Sequence, residues 1–147
     1  MYAPRLSASP FGRHVAAPPS HLYAAVGVET GVAGASPHRL VAMLFDGFVD
    51  AIAQARGALA SGQIEAKGRA IGRAARIVDE GLKASLDLKA GGALAADLAE
   101  LYAYVTLRLT QANLKNDAAA LDECLGLIQP LRQAWAEIAP RVEVSRA

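Results

Sequence analysis

Apolar residues return at three- and four-residue steps through four stretches of this chain. Val41, Leu44, Phe45, Phe48, Ile52, Ala55 and Leu59 form the first stripe, which predicts a helix from Pro37 to about Ala60. Ser36-Pro37 supplies an N-cap and a proline at the first helical position, and Ser61-Gly62 ends the helix. The second stripe, Ile64, Ile71, Ala75, Val78, Leu82 and Leu86, predicts a helix over 64–86, closed by Lys89-Ala-Gly-Gly92. Leu94, Leu98, Leu101, Val105, Leu109 and Ala112 predict a third helix over 93–114, ended by the turn and cap pair Asn116-Asp117. Leu121, Leu125, Ile128, Leu131 and Trp135 predict a fourth over 118–138. Pro130 lacks a backbone donor, which predicts a kink or break in that helix. No stretch alternates like a strand. The expected fold is all-α, an antiparallel up-down four-helix bundle over 36–139.

The flanks read differently. Residues 1–19 hold four of the seven prolines, and no acid precedes Glu29. They are expected to be a flexible extension, because Pro and small polar residues cannot bury a core. Residues 20–35 carry Leu22, Tyr23, Val26 and Val28 and are expected to form a short docking segment. Residues 140–147 follow Pro140 as a tail.

Composition narrows the function. A chain of 147 residues and 15.3 kDa can bury a core without a disulfide or metal. Fifteen basic against fourteen acidic residues leave a net charge of +1, which gives no electrostatic footprint for nucleic acid. The single cysteine, Cys124, excludes a disulfide framework and a multi-cysteine zinc site, and reads as a small buried hydrophobe. No run of 18 apolar residues or signal-like start occurs, so a cytoplasmic protein without membrane insertion is expected. The histidines are His14, His21 and His38. None belongs to a Glu-x-x-His pair, and no P-loop or nucleophile elbow is present. No catalytic residue, metal ligand or cofactor is therefore assigned.

The informative feature is a second apolar seam. On helix 3, Ala96, Ala99, Ala103, Leu107, Thr110 and Leu114 recur opposite the core stripe. On helix 2, Ala66, Ala70, Ile77, Gly81, Ala84 and Leu88 do the same. Tyr102 reads as a core-edge residue, and Tyr104 points further out. A helix of a closed bundle needs one apolar stripe, so two such seams suggest a groove for a partner helix. Alanine supplies 33 positions, so helix-favouring filler is the competing reading. The candidate partner surface is Ile77, Gly81, Ala84, Leu88, Ala99, Ala103, Tyr104, Leu107, Thr110 and Leu114. A rival use of the same seams is self-association, so the expected state is a monomer or weak homodimer.

Several stretches, taken in order, resemble the flagellar secretion chaperone (FliS) family. They are Tyr23-Ala-Ala-Val, Ala35-Ser-Pro-His-Arg-Leu-Val-Ala-Met-Leu-Phe-Asp-Gly47, Glu80-Gly-Leu-Lys-Ala-Ser-Leu-Asp87 and Lys89-Ala-Gly-Gly92. Leu98-Ala-Glu-Leu-Tyr-Ala-Tyr104, Ala112-Asn-Leu-Lys-Asn-Asp117 and Leu131-Arg-Gln-Ala-Trp135 complete the set, which covers about 20–138. The resemblance implies a cytoplasmic four-helix bundle that holds the C-terminal region of monomeric flagellin. It implies that binding blocks premature polymerisation and keeps the subunit ready for the export apparatus. It also implies that the segment before Ser36, matched at Leu22 and Tyr23, packs on the bundle and competes with substrate. The first 19 residues extend beyond the family's usual start.

Overall fold

A computed structural model describes residues 34–146, with side chains as far as Ile138. The expected extension, and Leu22 and Tyr23 of the docking segment, lie outside the described residues. Among the described residues every regular element is helical: α1 (Pro37–Ala60), α2 (Ile64–Arg76), a π-helical continuation (Ile77–Lys83), α3 (Leu88–Lys115) and α4 (Ala118–Arg146). Each packs on its neighbours in the chain, and α4 closes against α1. This is the four-helix arrangement that the periodicity predicts.

The caps explain the boundaries. The Ser36 side chain accepts from the Arg39 amide at 3.1 Å, with Pro37 following. At the other end of α1, the Gln63 amide donates to the Ala58 carbonyl and the Gly62 amide to that of Leu59. Gly62 has φ 74°, so this is a Schellman ending that needs a glycine. The Asp87 side chain accepts from the Ala90 amide and starts α3 five residues before the expected Ala93. The break at the paired glycines is nevertheless present. Gly92, with φ 57° and ψ −135°, separates the first turn of α3 from its long remainder. Asn116 adopts the left-handed conformation and Asp117 caps α4.

Two expectations are corrected. The helical backbone of α4 runs unbroken through Pro130 and on past Pro140. Gly126, whose carbonyl loses its donor at Pro130, is exposed, as is Pro130 itself. An exposed carbonyl is open to solvent rather than buried without a partner, so the lost hydrogen bond costs the helix less there. The second correction is the phase of α2. Its buried arc is Lys67, Ala70, Ile71, Ala74, Ile77, Val78, Gly81 and Leu82, whereas Ile64 is exposed. Lys67 hides the true stripe, because a lysine reads as a solvent position. Its Nζ donates to the Asn113 carbonyl and Oδ1, both at 2.8 Å, so the ammonium is satisfied while the stem fills a core site. The arc is also wide, because α2 packs on both α1 and α3.

The core is centred on Leu44, Phe48, Ile52, Val105, Leu121 and Ile128, all essentially inaccessible. Tyr102 lies among them, and burial pushes its hydroxyl pKa up. Cys124 is buried too, and burial raises its thiol to about 11.

Candidate functional site

The predicted seam residues divide into an inner and an outer group. Ile77 has 0% exposure, and Gly81 is buried against Leu44. Both belong to the core of the bundle, so the expectation that they face a partner is overturned. The reason is the width of the buried arc of α2 and its continuation, which takes in Ile77 and Gly81 as well as Ile71, Val78 and Leu82 of the expected stripe. Ala70 is buried within the same arc.

The residues of α3 do face outward. Ala103, Leu107, Thr110 and Leu114 are all exposed, at successive steps of four, three and four residues, which places them on one side of the helix. Leu107 is 55% and Leu114 78% accessible. Ala99 is half-buried at the start of this face, and Ala96 is exposed before it. Leu88, 60% accessible, opens α3 on the far side of Gly92, and Ala84 is exposed in the turn before it. The structure thus brings four seam residues together on α3 and leaves two more at its N-terminal approach.

Tyr104 stands beside this face and is fixed by polar contacts. Its hydroxyl donates to the Glu123 carboxylate on α4, whose other oxygen accepts from Arg108 Nε at 2.8 Å. The Tyr104 hydroxyl, then the Arg108 guanidinium, hold the Glu123 carboxyl below the usual carboxylate range. The same hydrogen bond raises the Tyr104 pKa. An anchored tyrosine presents its ring to solvent with little rotamer freedom left to lose.

A second apolar feature was not anticipated. Phe45 of α1, Leu94, Leu98 and Tyr102 of α3, and Leu131, Ala134, Trp135 and Ile138 of α4 line a cavity of about 270 Å³. Leu94 was expected in the core; it is half-exposed in the turn after Gly92 and forms part of the cavity wall. All these residues belong to ordinary core stripes or flank them. Only the backbone break at Gly92 hinted that the stripe of α3 would gape here. Beside the cavity, the His38 and Trp135 rings stack at 4.5 Å. His38 Nε2 donates to the Trp135 carbonyl, and Trp135 Nε1 donates to the His38 carbonyl. The start of α1 is thereby fastened to α4.

The family comparison decides what kind of protein carries this surface. The sequence model described as flagellar protein FliS matches residues 19–142. The chain belongs to the FliS family of flagellar secretion chaperones. It is 50% identical to the flagellar secretion chaperone FliS of Salmonella typhimurium over 119 residues, covering 81% of this chain and 88% of the relative. It is 42% identical to FliSB of Pseudomonas aeruginosa, over 77% of this chain and 89% of the relative. For Escherichia coli FliS the identity is 38% over 83% and 90%. The family match includes α1, α2 and α3, and α4 as far as residue 142. Among the described residues no helix is long and apolar enough to cross a membrane, and no cluster of metal-ligating side chains occurs.

Proposed function

We propose that this FliS-family protein is a cytoplasmic, non-catalytic export chaperone that binds the C-terminal region of monomeric flagellin. The observation that carries the reading is the uncovered apolar face of α3: Ala103, Leu107, Thr110 and Leu114, with Tyr104 beside them and Ala99, Leu88 and Ala84 at its approach. Leaving an aliphatic side chain in water forgoes about 1.5–3 kcal/mol relative to full burial. A flagellin segment that folds as an amphipathic helix on this face recovers that energy. The same contact keeps the segment from polymerising and holds it ready for the export apparatus. Ordering the segment costs about 1–2 kcal/mol per residue, so binding needs an extended surface. In the absence of substrate, the preceding segment, with Leu22 and Tyr23, competes with flagellin for the bundle. The His38–Trp135 stack holds the start of α1, where that segment joins, beside the cavity between α1, α3 and α4.

The test is a calorimetric titration with the C-terminal segment of flagellin from the same organism, repeated with Leu107→Asp. The expected result is saturable binding with a negative heat-capacity change, weakened about tenfold or more by the substitution while circular dichroism stays unchanged. Equal binding by Leu107→Asp removes the α3 face from the site. No binding by the folded parent removes flagellin as the substrate. A dimer in light scattering that persists with flagellin present assigns the face to self-association instead.

A further inference from the structure

A groove of about 650 Å³ lies away from the α3 face. It runs between the end of α1 and the length of α2, as far as Arg76. Three arginines of α2 line it, Arg69, Arg73 and Arg76, and no carboxylate does. Their spacing of four and three residues sets them along one side of the helix, over roughly 10 Å. Arg73 Nη2 donates to Gln54 Oε1 at 2.5 Å, while Arg73 Nε is buried with no hydrogen-bond partner. A buried donor without an acceptor is costly and rare in folded proteins. The three guanidinium groups along the groove offer an incoming carboxylate charge-assisted hydrogen bonds.

The groove is also unusually open at backbone level. Gly57, Gly68 and Gly72 line it. The fold itself does not require them: a Cβ at Gly57 would meet nothing within 4 Å, at Gly68 only Asn113 Oδ1 at 3.8 Å, and at Gly72 only Arg76 Nη1 at 3.9 Å. Each glycine costs its helix about 1 kcal/mol against alanine. The missing side chains leave room for another backbone to approach closely.

We propose that this groove is a second protein-docking site, which takes a helix of a partner protein with acidic residues along one face. The occupant is not a segment of this chain. Residues 1–28 contain no acid but include Arg5 and Arg13, and residues 139–147 carry two arginines against one glutamate. The site shares no residue with the α3 face, so both partners bind at once.

The probe is a fluorescein-labelled, alanine-rich helical peptide with glutamate at every fourth position, titrated into the full chain at low salt and read by anisotropy. The expected result is saturable binding that falls as salt rises and is lost when glutamine replaces glutamate. Arg73→Gln weakens it about tenfold through charge. Gly72→Leu weakens it as much by filling the groove with the charge intact, and it replaces a poor helix former with a good one. Flagellin binding is unchanged in both variants. Unaltered peptide binding by Gly72→Leu overturns the groove as the seat. Equal binding of the glutamine peptide overturns the charge reading. Stronger competition by a short RNA or polyphosphate, sensitive to the same variants, makes this a polyanion site and overturns the protein partner. Loss of flagellin binding in Gly72→Leu with helicity intact merges the two surfaces and overturns a second site.

Discussion

Gly68 lies in α2 and Gly81 in its π-helical continuation, yet replacing each by alanine should change stability in opposite directions. In both cases the methyl group brings a helix-propensity gain of about 1 kcal/mol. At Gly68 nothing opposes it, because the new Cβ has only Asn113 Oδ1 at 3.8 Å. At Gly81 the new Cβ falls 2.9 Å and 3.0 Å from the two methyl carbons of Leu44 and 3.5 Å from its Cγ. Turning one Leu44 methyl away swings the other in, and Leu44 has no exposed surface into which to retreat. Overpacking of this kind costs about 1–3 kcal/mol, so it cancels or exceeds the propensity gain. Gly68→Ala should therefore be stabilised by about 0.5–1 kcal/mol, and Gly81→Ala destabilised by up to about 2 kcal/mol. At this chain length each kcal/mol moves Tm by about 2–4 °C. Urea denaturation followed by circular dichroism, with equal m-values for both variants, reads the difference directly. If Gly81→Ala is stabilised as much as Gly68→Ala, then Gly81 does not pack on Leu44, and the corrected phase of α2 is wrong.

Three further outcomes are expected. The Cys124 thiol is raised from 9.0 to about 11 chiefly by burial. The unfolded chain thus releases that proton first, and stability should fall as pH rises from about 9 to about 11, by at most about 1.4 kcal/mol per pH unit. Urea titrations across that range should show the slope reduced in Cys124→Ala, and an identical slope would refute it. At the buried ammonium, Asn113→Ala removes one of two acceptors and should cost about 1.5–3 kcal/mol. Lys67→Met, which keeps the stem and deletes the charge, should cost less; the reverse order in denaturation would show that the charged contact is a net stabiliser. Deleting residues 1–33 should tighten flagellin binding in the calorimetric titration, and an unchanged affinity would mean that this segment does not compete with substrate.

The helices were legible because each repeats its apolar residues at the helical period, and their ends because Ser36, Gly62 and Asn116 have side chains or conformations suited to caps. The Asp87 cap starts α3 five residues before the expected position, because the break at the paired glycines lies inside the helix and not before it. Side assignment was harder. Ile77 and Leu107 look alike in sequence, each an isolated large aliphatic in a row of small residues. One is completely buried and the other more than half exposed. Alanine and glycine suit a packed interface and a solvent face equally well, so in this chain they carry no phase information. Lys67 carried misleading phase information.

What separates Ile77 from Leu107 is the number of neighbours each helix face meets. A second apolar stripe implies an external partner only where the fold has not already covered it. On α2 the residues assigned to the second stripe fall partly within an arc shared between α1 and α3. On α3 the buried side, Leu98, Tyr102, Val105 and Leu109, is taken up by the bundle, while Leu107 and Leu114 remain more than half exposed. The glycines obey the same logic in reverse. Gly81 is small because Leu44 occupies the place of its side chain, so its size is explained from within. Gly57 has empty space where a side chain would stand, and Gly68 and Gly72 would meet one ordinary contact each, at 3.8 Å and 3.9 Å. Small residues that the fold does not need, beside three arginines in a groove that no carboxylate lines, are the features on which the proposed second docking site rests.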